Sequence, residues 1–303
     1  MKKIFISLLA VAALAACNKA EVIDSNPGEA IAFGDAFVDN ATKAATDPSY
    51  SAKDITKFNV YGTVNDVVIY PGTEVTKGTA AYNSAWTCPV NQYWIPGASY
   101  KFVGIVDGNK SGVTTTNLTD DMPTSISYTA DGVTDLLCQT IEKTAKTDGT
   151  SNGLVAFNFT HLLSKVNFTV TNNSTEADGY SFLVKKITFA GRTKATYDLT
   201  DGWKDATAGN ISFADIAVAS KAASNELATE MLLIPGEVKV TFTVDILYNG
   251  TTITTTDYAP TGTYNIAAGN AYNFKVAVSV GEKIQFTVTK QPDWTTNDPT
   301  PLQ

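Results

Sequence analysis

The sequence predicts an all-β protein built from two tandem antiparallel β-sandwich domains. Three observations carry this. Apolar and polar residues alternate through long stretches, most cleanly where Val238, Val240, Phe242, Val244, Ile246 and Tyr248 share one face. Turn pairs such as Asn249-Gly250 and Asn65-Asp66 punctuate the stretches at short spacing. The 303 residues exceed one small sandwich, and a loop-like run, Ala145 to Asn152, divides them near the middle. A barrel would use the same alternation, but short strands and frequent turns favour sandwiches.

The N-terminus comes first. Lys2 and Lys3 precede an apolar run, Ile4 to Ala13, and Leu14-Ala15-Ala16-Cys17 sets small residues before a cysteine. This is a secretory signal, and its ending resembles the bacterial lipobox. Residues 1–16 are therefore expected to leave by cleavage between Ala16 and Cys17, with lipid placed on Cys17. The apolar run is too short to span a bilayer comfortably, and polar sequence follows it. Residues 17–29 read as a lipidated tether.

The first domain is expected over 30–152. Ala30-Ile31-Ala32-Phe33 forms a short opening strand, and a small, polar loop follows through Asn40 to Thr46 and ends at Asp47-Pro48. Ile55 to Val68, Trp86 to Ile95 and Tyr100 to Asp107 are strand regions. Lys110 to Pro123 reads as a threonine-rich loop; Ile126 to Tyr128 and Leu136 to Ile141 are short strands. The second domain, 153–294, opens with Phe157 to Thr171 as one strand. Tyr180 to Phe189, Thr196 to Leu199 and Gly209 to Phe213 follow, and the alanine-rich stretch Ala214 to Leu227 has room for a helical turn. Glu237 to Tyr248, Thr251 to Tyr258, Tyr272 to Val280 and Lys283 to Thr289 complete the sheet, and Trp294 closes the apolar pattern. Residues 295–303 read as a flexible tail.

Charge and residue counts remove several functions. With 22 basic and 30 acidic residues the chain is net −8, more negative still once Lys2 and Lys3 are lost, so nucleic acid is not a partner. His161 is the single histidine, which removes every two-histidine zinc site and leaves it as a packing residue. Asp120, Asp121, Asp131, Asp135, Asp198, Asp201 and Asp205 lack calcium-loop spacing and read as loop carboxylates. No catalytic residue, metal or cofactor is expected, and the chain is not read as an enzyme. Cys88 and Cys138 either pair or stay as separate buried thiols; a bond would contribute roughly 3–4 kcal/mol in the loop-entropy picture. Trp86, Trp94 and Trp203 suit a core or a sugar-binding surface.

Several segments, in order, resemble the fimbrillin superfamily of Bacteroidales, the major and minor fimbrial subunits and their Mfa-like paralogues. They are the lipobox at Leu14 to Cys17, Ala30 to Phe33 with Asn40 to Ala44, and Gln92 to Val106. Phe157 to Val170 with His161 and Lys165, Met231-Leu232-Leu233-Ile234-Pro235, Tyr264 to Val280 and Pro292 to Trp294 continue the set. The resemblance implies transthyretin-like sandwiches and a fimbrial (pilus) subunit exported as a lipoprotein to the outer membrane and cell surface. It implies a maturation protease that cuts near Lys43-Ala44 and removes a leaving strand, Ala30, Ile31, Ala32 and Phe33. The family's protease prefers arginine, but the chain's only arginine is Arg192. The implied donor strand carries Ile284, Phe286 and Val288, and alternation there suits an ordinary core strand equally. Implied partners are other fimbrial subunits by strand exchange and a host or bacterial surface ligand. The alternative is a surface glycan-binding lipoprotein that serves nutrient uptake.

Overall fold

The computed structural model describes residues 28–34, 36–38, 55–78, 86–106, 113–119, 122–174, 179–218, 224–226, 231–291 and 300–301. The first half of the chain runs β1 (Phe37–Val38), β2 (Lys57–Val64), β3 (Val67–Lys77), β4 (Trp86–Thr87), β5 (Ser99–Val106), β6 (Val113–Thr119), β7 (Met122–Thr129), β8 (Leu137–Thr144) and β9 (Asn158–His161). The second half runs β10 (Ser164–Asn172), β11 (Tyr180–Asp198), β12 (Gly202–Ser212), β13 (Ile216–Val218), β14 (Ser224–Glu226), β15 (Met231–Tyr248), β16 (Thr251–Tyr258), β17 (Tyr264–Ile266), β18 (Ala271–Val278), β19 (Gln285–Gln291) and β20 (Thr300–Pro301). The described residues contain no helix.

The first sheet is ordered β1-β9-β8-β5-β2-β3-β4. The second is ordered β20-β19-β18-β10-β15-β11-β7-β6, with β12 and β13 on β11, β14 on β10, and β16 and β17 on β15. Pairing is mostly antiparallel, but β1 with β9 and β10 with β18 are parallel. The 18-residue β15 joins the two layers of the second sandwich. Its start pairs with β10 and its later part with β11. The chain bends at Pro235-Gly236, where Gly236 takes φ 142° and the Arg192 guanidinium donates to the Pro235 carbonyl at 2.7 Å. Between the layers, Val166, Phe168, Val170, Phe274 and Val276 meet Phe182, Val184, Phe189, Val240, Phe242 and Val244. The turn at Asn65-Asp66 has φ 46° and 65°, and that at Asn249-Gly250 has φ 47° and 79°, as type I′ turns require.

Phe157 to Thr171 is two strands, not one. Phe157 and Phe159 lie in the first core, while Val166, Phe168 and Val170 lie in the second. A single strand keeps inward residues in one parity. Here inward positions are odd before Leu162 and even after Leu163, and the chain changes sheet between them. Leu162 and Leu163 are both buried in a third cluster with Val103, Ile105, Ile126, Tyr128, Cys138 and Ala195. That cluster lies between the two sheets, and β7, from the N-terminal half, pairs with β11 of the second sheet. The switch of sheet thus falls after the expected division near 152.

Other local expectations change. Val113 to Thr119, read as loop, is the edge strand β6, whose threonines suit a strand as well as a loop. Tyr180–Asp198 is one 19-residue strand rather than two, carried past its bulges by pairing first with β15 and then with β7. The described part of Ala214 to Leu227 forms β13 and β14 rather than a helical turn. Only Trp86 and Thr87 of the expected 86–95 strand join the first sheet. In the expected tail, Thr300 and Pro301 pair with β19. Cys17, Lys43, Ala44 and Trp294 lie outside the described residues.

Gly104 on β5 tests how tightly the first core is filled. An added Cβ would lie 2.8 Å from the Phe157 ring and 2.9 Å from the Phe159 ring. Gly104→Ala is expected to destabilise the protein by about 1–3 kcal/mol through overpacking, read as a lower denaturation midpoint, whereas exposed Thr254→Ala is expected to leave it unchanged.

Candidate assembly groove

Strands β2, β3, β5 and β9 form an aromatic trough. Its floor holds Phe58, Val60, Tyr70, Phe102, Phe157 and Phe159. Gly62 stands over the Tyr70 and Phe102 rings and Gly104 over the Phe157 and Phe159 rings; a Cβ at either would meet a ring within about 3 Å.

The trough is covered by a thin layer of three extended segments, 92–95, 30–34 and 153–156. The middle one is the opening stretch. Ala30 bridges Tyr93 antiparallel, and Phe33 bridges Val155 parallel. Ile31 N–H donates to the Gln92 carbonyl at 2.8 Å and Trp94 N–H to the Glu29 carbonyl at 2.9 Å. On the other flank Gly34 N–H donates to Val155 and Val155 N–H to Ala32, each at 2.9 Å. Alternation turns Ile31 and Phe33 inward, where they are 6% and 4% exposed. The Phe33 ring centroid lies 5.5 Å from Tyr70, 6.0 Å from Phe58 and 6.4 Å from both Phe102 and Phe157, the last nearly parallel. Edge and offset contacts of this kind add to area burial. The chain then continues into β1 beside β9.

Glu29 fixes the start of this segment. Its carboxylate accepts from the Ser151 hydroxyl, from Asn152 N–H at 2.5 Å, from the Asn152 side-chain amide at 2.9 Å and from Gly153 N–H at 3.4 Å. The Ser151 hydroxyl, then the Asn152 amide, hold the carboxyl down at about 2, from an ordinary 4.5. The sequence carried no signal for Glu29, while 92–95 lay inside the expected Trp86 to Ile95 strand and 153–156 at the expected start of the second domain. The alternation of Tyr93, Trp94 and Ile95, and of Leu154, Val155 and Ala156, was the available signal.

Ile284, Phe286 and Val288 lie in the second sandwich, away from the trough. Val288 is buried and Phe286 half-buried, its ring 5.9 Å from Phe242 and from Tyr264. β19 pairs with β18 along its whole length, and with β20 only at Thr289 and Lys290. Among the described residues, 285–288 therefore carries an open edge.

The cysteines do not form a bond. Both are free; Cys88 packs at the rim of the first core beyond β4 and Cys138 on β8 in the cluster between sheets. Four strand spacings separate β8 from β4, about 19 Å, beyond any disulfide. Burial pushes the Cys138 thiol up to about 12 and raises that of Cys88. His161 Nδ1 lies 2.7 Å from the Asp135 carboxylate. Asp131 caps its own loop through Val133 and Thr134, and Asp198 accepts from Thr200, Asp201 and Lys204. Trp86 and Trp94 are buried, and Trp203 donates its indole N–H to the Leu162 carbonyl at 2.7 Å. These three make no exposed stacking platform.

A family model described as fimbrillin-like matches residues 42–294, and one described as a prokaryotic membrane lipoprotein lipid attachment site matches residues 1–18, which include Cys17. No curated protein matches. A fimbrial protein from Bacteroides vulgatus superposes with a TM-score of 0.60 at 14% identity, over 87% of this chain and 100% of that one. Candidate cell adhesion proteins from Bacteroides uniformis and Bacteroides ovatus superpose with TM-scores of 0.52 and 0.53 at 21% and 15% identity. They cover 88% and 89% of this chain and 99% of their own lengths. The solved structures share the fold, and the family model spans most of the sequence: the chain belongs to the fimbrillin-like family.

Proposed function

We propose that this chain is a structural subunit of a surface fimbria, exported as a lipoprotein precursor to the outer membrane and polymerised by proteolysis and strand exchange. The observation that carries the reading is the seat of Ile31 and Phe33. They fill an aromatic trough from a segment that belongs to no long strand and continues toward Lys43-Ala44. Cutting there leaves the segment held by its short ladder, by the two-residue pairing of β1 with β9, by the buried side chains of Ile31, Phe33 and Ala36, and by Glu29. Burial of Ile31 and Phe33 contributes roughly 1.5–3 kcal/mol each, little enough for a longer strand to displace them.

Once empty, the trough presents Phe58, Tyr70, Phe102 and Phe157 beside the unpaired edges of 92–94 and 153–155. An incoming strand satisfies both the apolar floor and the backbone groups. Ile284, Phe286 and Val288 repeat the inward spacing of Ile31 and Phe33 and supply one more apolar residue. Transfer from one subunit to the next is heterologous and does not close, so it propagates a filament that supports adhesion. Donation requires β19 to leave β18, and its open edge at 285–288 makes it the more easily detached neighbour.

Cleavage of the full chain by a lysine-specific protease is expected to yield ladders of high molecular mass on gels and fibres in electron micrographs, and Phe286→Asp to abolish them. A cleaved wild-type chain that stays monomeric, or a Phe286→Asp chain that polymerises equally, would sink the proposal. Acid is expected to loosen the cleaved leader. The Glu29 carboxyl is depressed in the folded state, so its contribution is complete above 4.5 and lost as pH falls toward about 2. Retention of the cleaved leader, measured by co-elution, should fall across that window, and Glu29→Gln should flatten the fall.

A further inference from the structure

The layer that covers the trough has a second, outward face, and this face is apolar as well. With Ile31 and Phe33 inward, Ala30 and Ala32 point outward in its middle strand. On one flank Tyr93 and Ile95 point outward around buried Trp94, and on the other Leu154 and Ala156 point outward around buried Val155. Tyr93, Ile95 and Leu154 are 41%, 54% and 58% exposed. Ala30 stands opposite Tyr93, and a Cβ at Gly34 would lie 3.0 Å from Leu154, so the patch is continuous across all three segments.

The position of the anchor says what covers it. The middle strand of the patch begins at Gly28, and the lipid attachment site ends in the 1–18 match, at Cys17. Residues 17–28 span at most about 40 Å when fully extended. An anchor on Cys17 therefore keeps the Gly28 end of this layer within about 40 Å of a bilayer. Charge agrees. The chain is net −8, whereas two lysines and two carboxylates stand together beside the patch. Lys143 and Lys146 reach the carbonyls of Asn152 and Ser151, next to Glu29 and Asp148. An anionic leaflet repels that cluster less than the acidic remainder. Tyrosine with aliphatic neighbours is also a composition that suits the headgroup–acyl boundary.

We infer that in the lipidated chain the outer face of this layer docks on the phospholipid surface, with Tyr93, Ile95 and Leu154 entering the headgroup boundary. The contact is intramolecular once the anchor is inserted, so a small apolar area suffices. It requires lipid on Cys17 and is independent of strand exchange. The leader then lies between its trough and the bilayer.

The test uses the full lipidated chain in vesicles of phosphatidylethanolamine and phosphatidylglycerol, with an environment-sensitive dye on Leu154→Cys and, separately, on Thr254→Cys of β16. Headgroup nitroxide lipids are expected to quench the dye at 154 and not at 254. Ile95→Asp, at an exposed position, should remove the loss at 154 without changing the thermal melt. Unsubstituted chain carried through the labelling controls for dye on Cys88. Equal emission at 154 with and without nitroxide, or equal loss at both positions, overturns the inference. So does concentration-dependent dimerisation of unlipidated chain that Ile95→Asp breaks while nitroxide lipids leave the dye at 154 bright; the occupant is then a second copy.

Discussion

The Phe33 ring is the contact on which the first sandwich depends. The trough beneath it is assembled from strands far apart in sequence, β2, β3, β5 and β9, and their side chains converge on one aromatic position. The covering layer has no long strand of its own; it is three short segments joined through Ile31, Trp94, Gly34 and Val155. Among the described residues, the outer two segments pair within this layer through the middle one, which also covers the floor. A sandwich with one layer this thin needs its middle strand, yet holds it by few bonds. Those two properties are what an exchangeable strand requires.

In the proposed exchange, the rest of the molecule confines the change to the trough. β5 presents Tyr100 and Phe102 to the trough and Val103 and Ile105 to the cluster between the sheets. On its far side that cluster is built from β7 and β11, which are paired to each other, and from Leu162 and Leu163. Trp203 ties the β11–β12 hairpin to the Leu162 carbonyl. The sheet below the trough is thus braced from behind by a second buried cluster. The trough and the proposed donor strand β19 sit in different sandwiches and do not share one core.

Much of this was legible. Alternation identified β15, β18 and β19, the Asn249-Gly250 pair predicted the return into β16, and Ala30 to Phe33, read as a short strand, lies extended and is joined to its neighbours by isolated bridges. What the sequence hid depends on tertiary context. The break at Leu162-Leu163 was written in the parity of Phe157 and Phe159 against Val166 and Phe168, but continuous apolar sequence across it masked the change of sheet. Cys88 and Cys138 have a plausible loop length for a bond and face different cores; spacing does not encode face. Glu29 gains its role only because the Ser151 to Gly153 turn is folded against it.

The most direct measurement is the N-terminal sequence and intact mass of the chain in fibre fractions from its native host, set beside the membrane fraction. The account predicts a start near Ala44 in fibres and a lipidated Cys17 start in the membrane-bound monomer. A lipidated, uncut chain throughout the fibres would contradict it, because the leader would then still occupy the trough that a donor must fill.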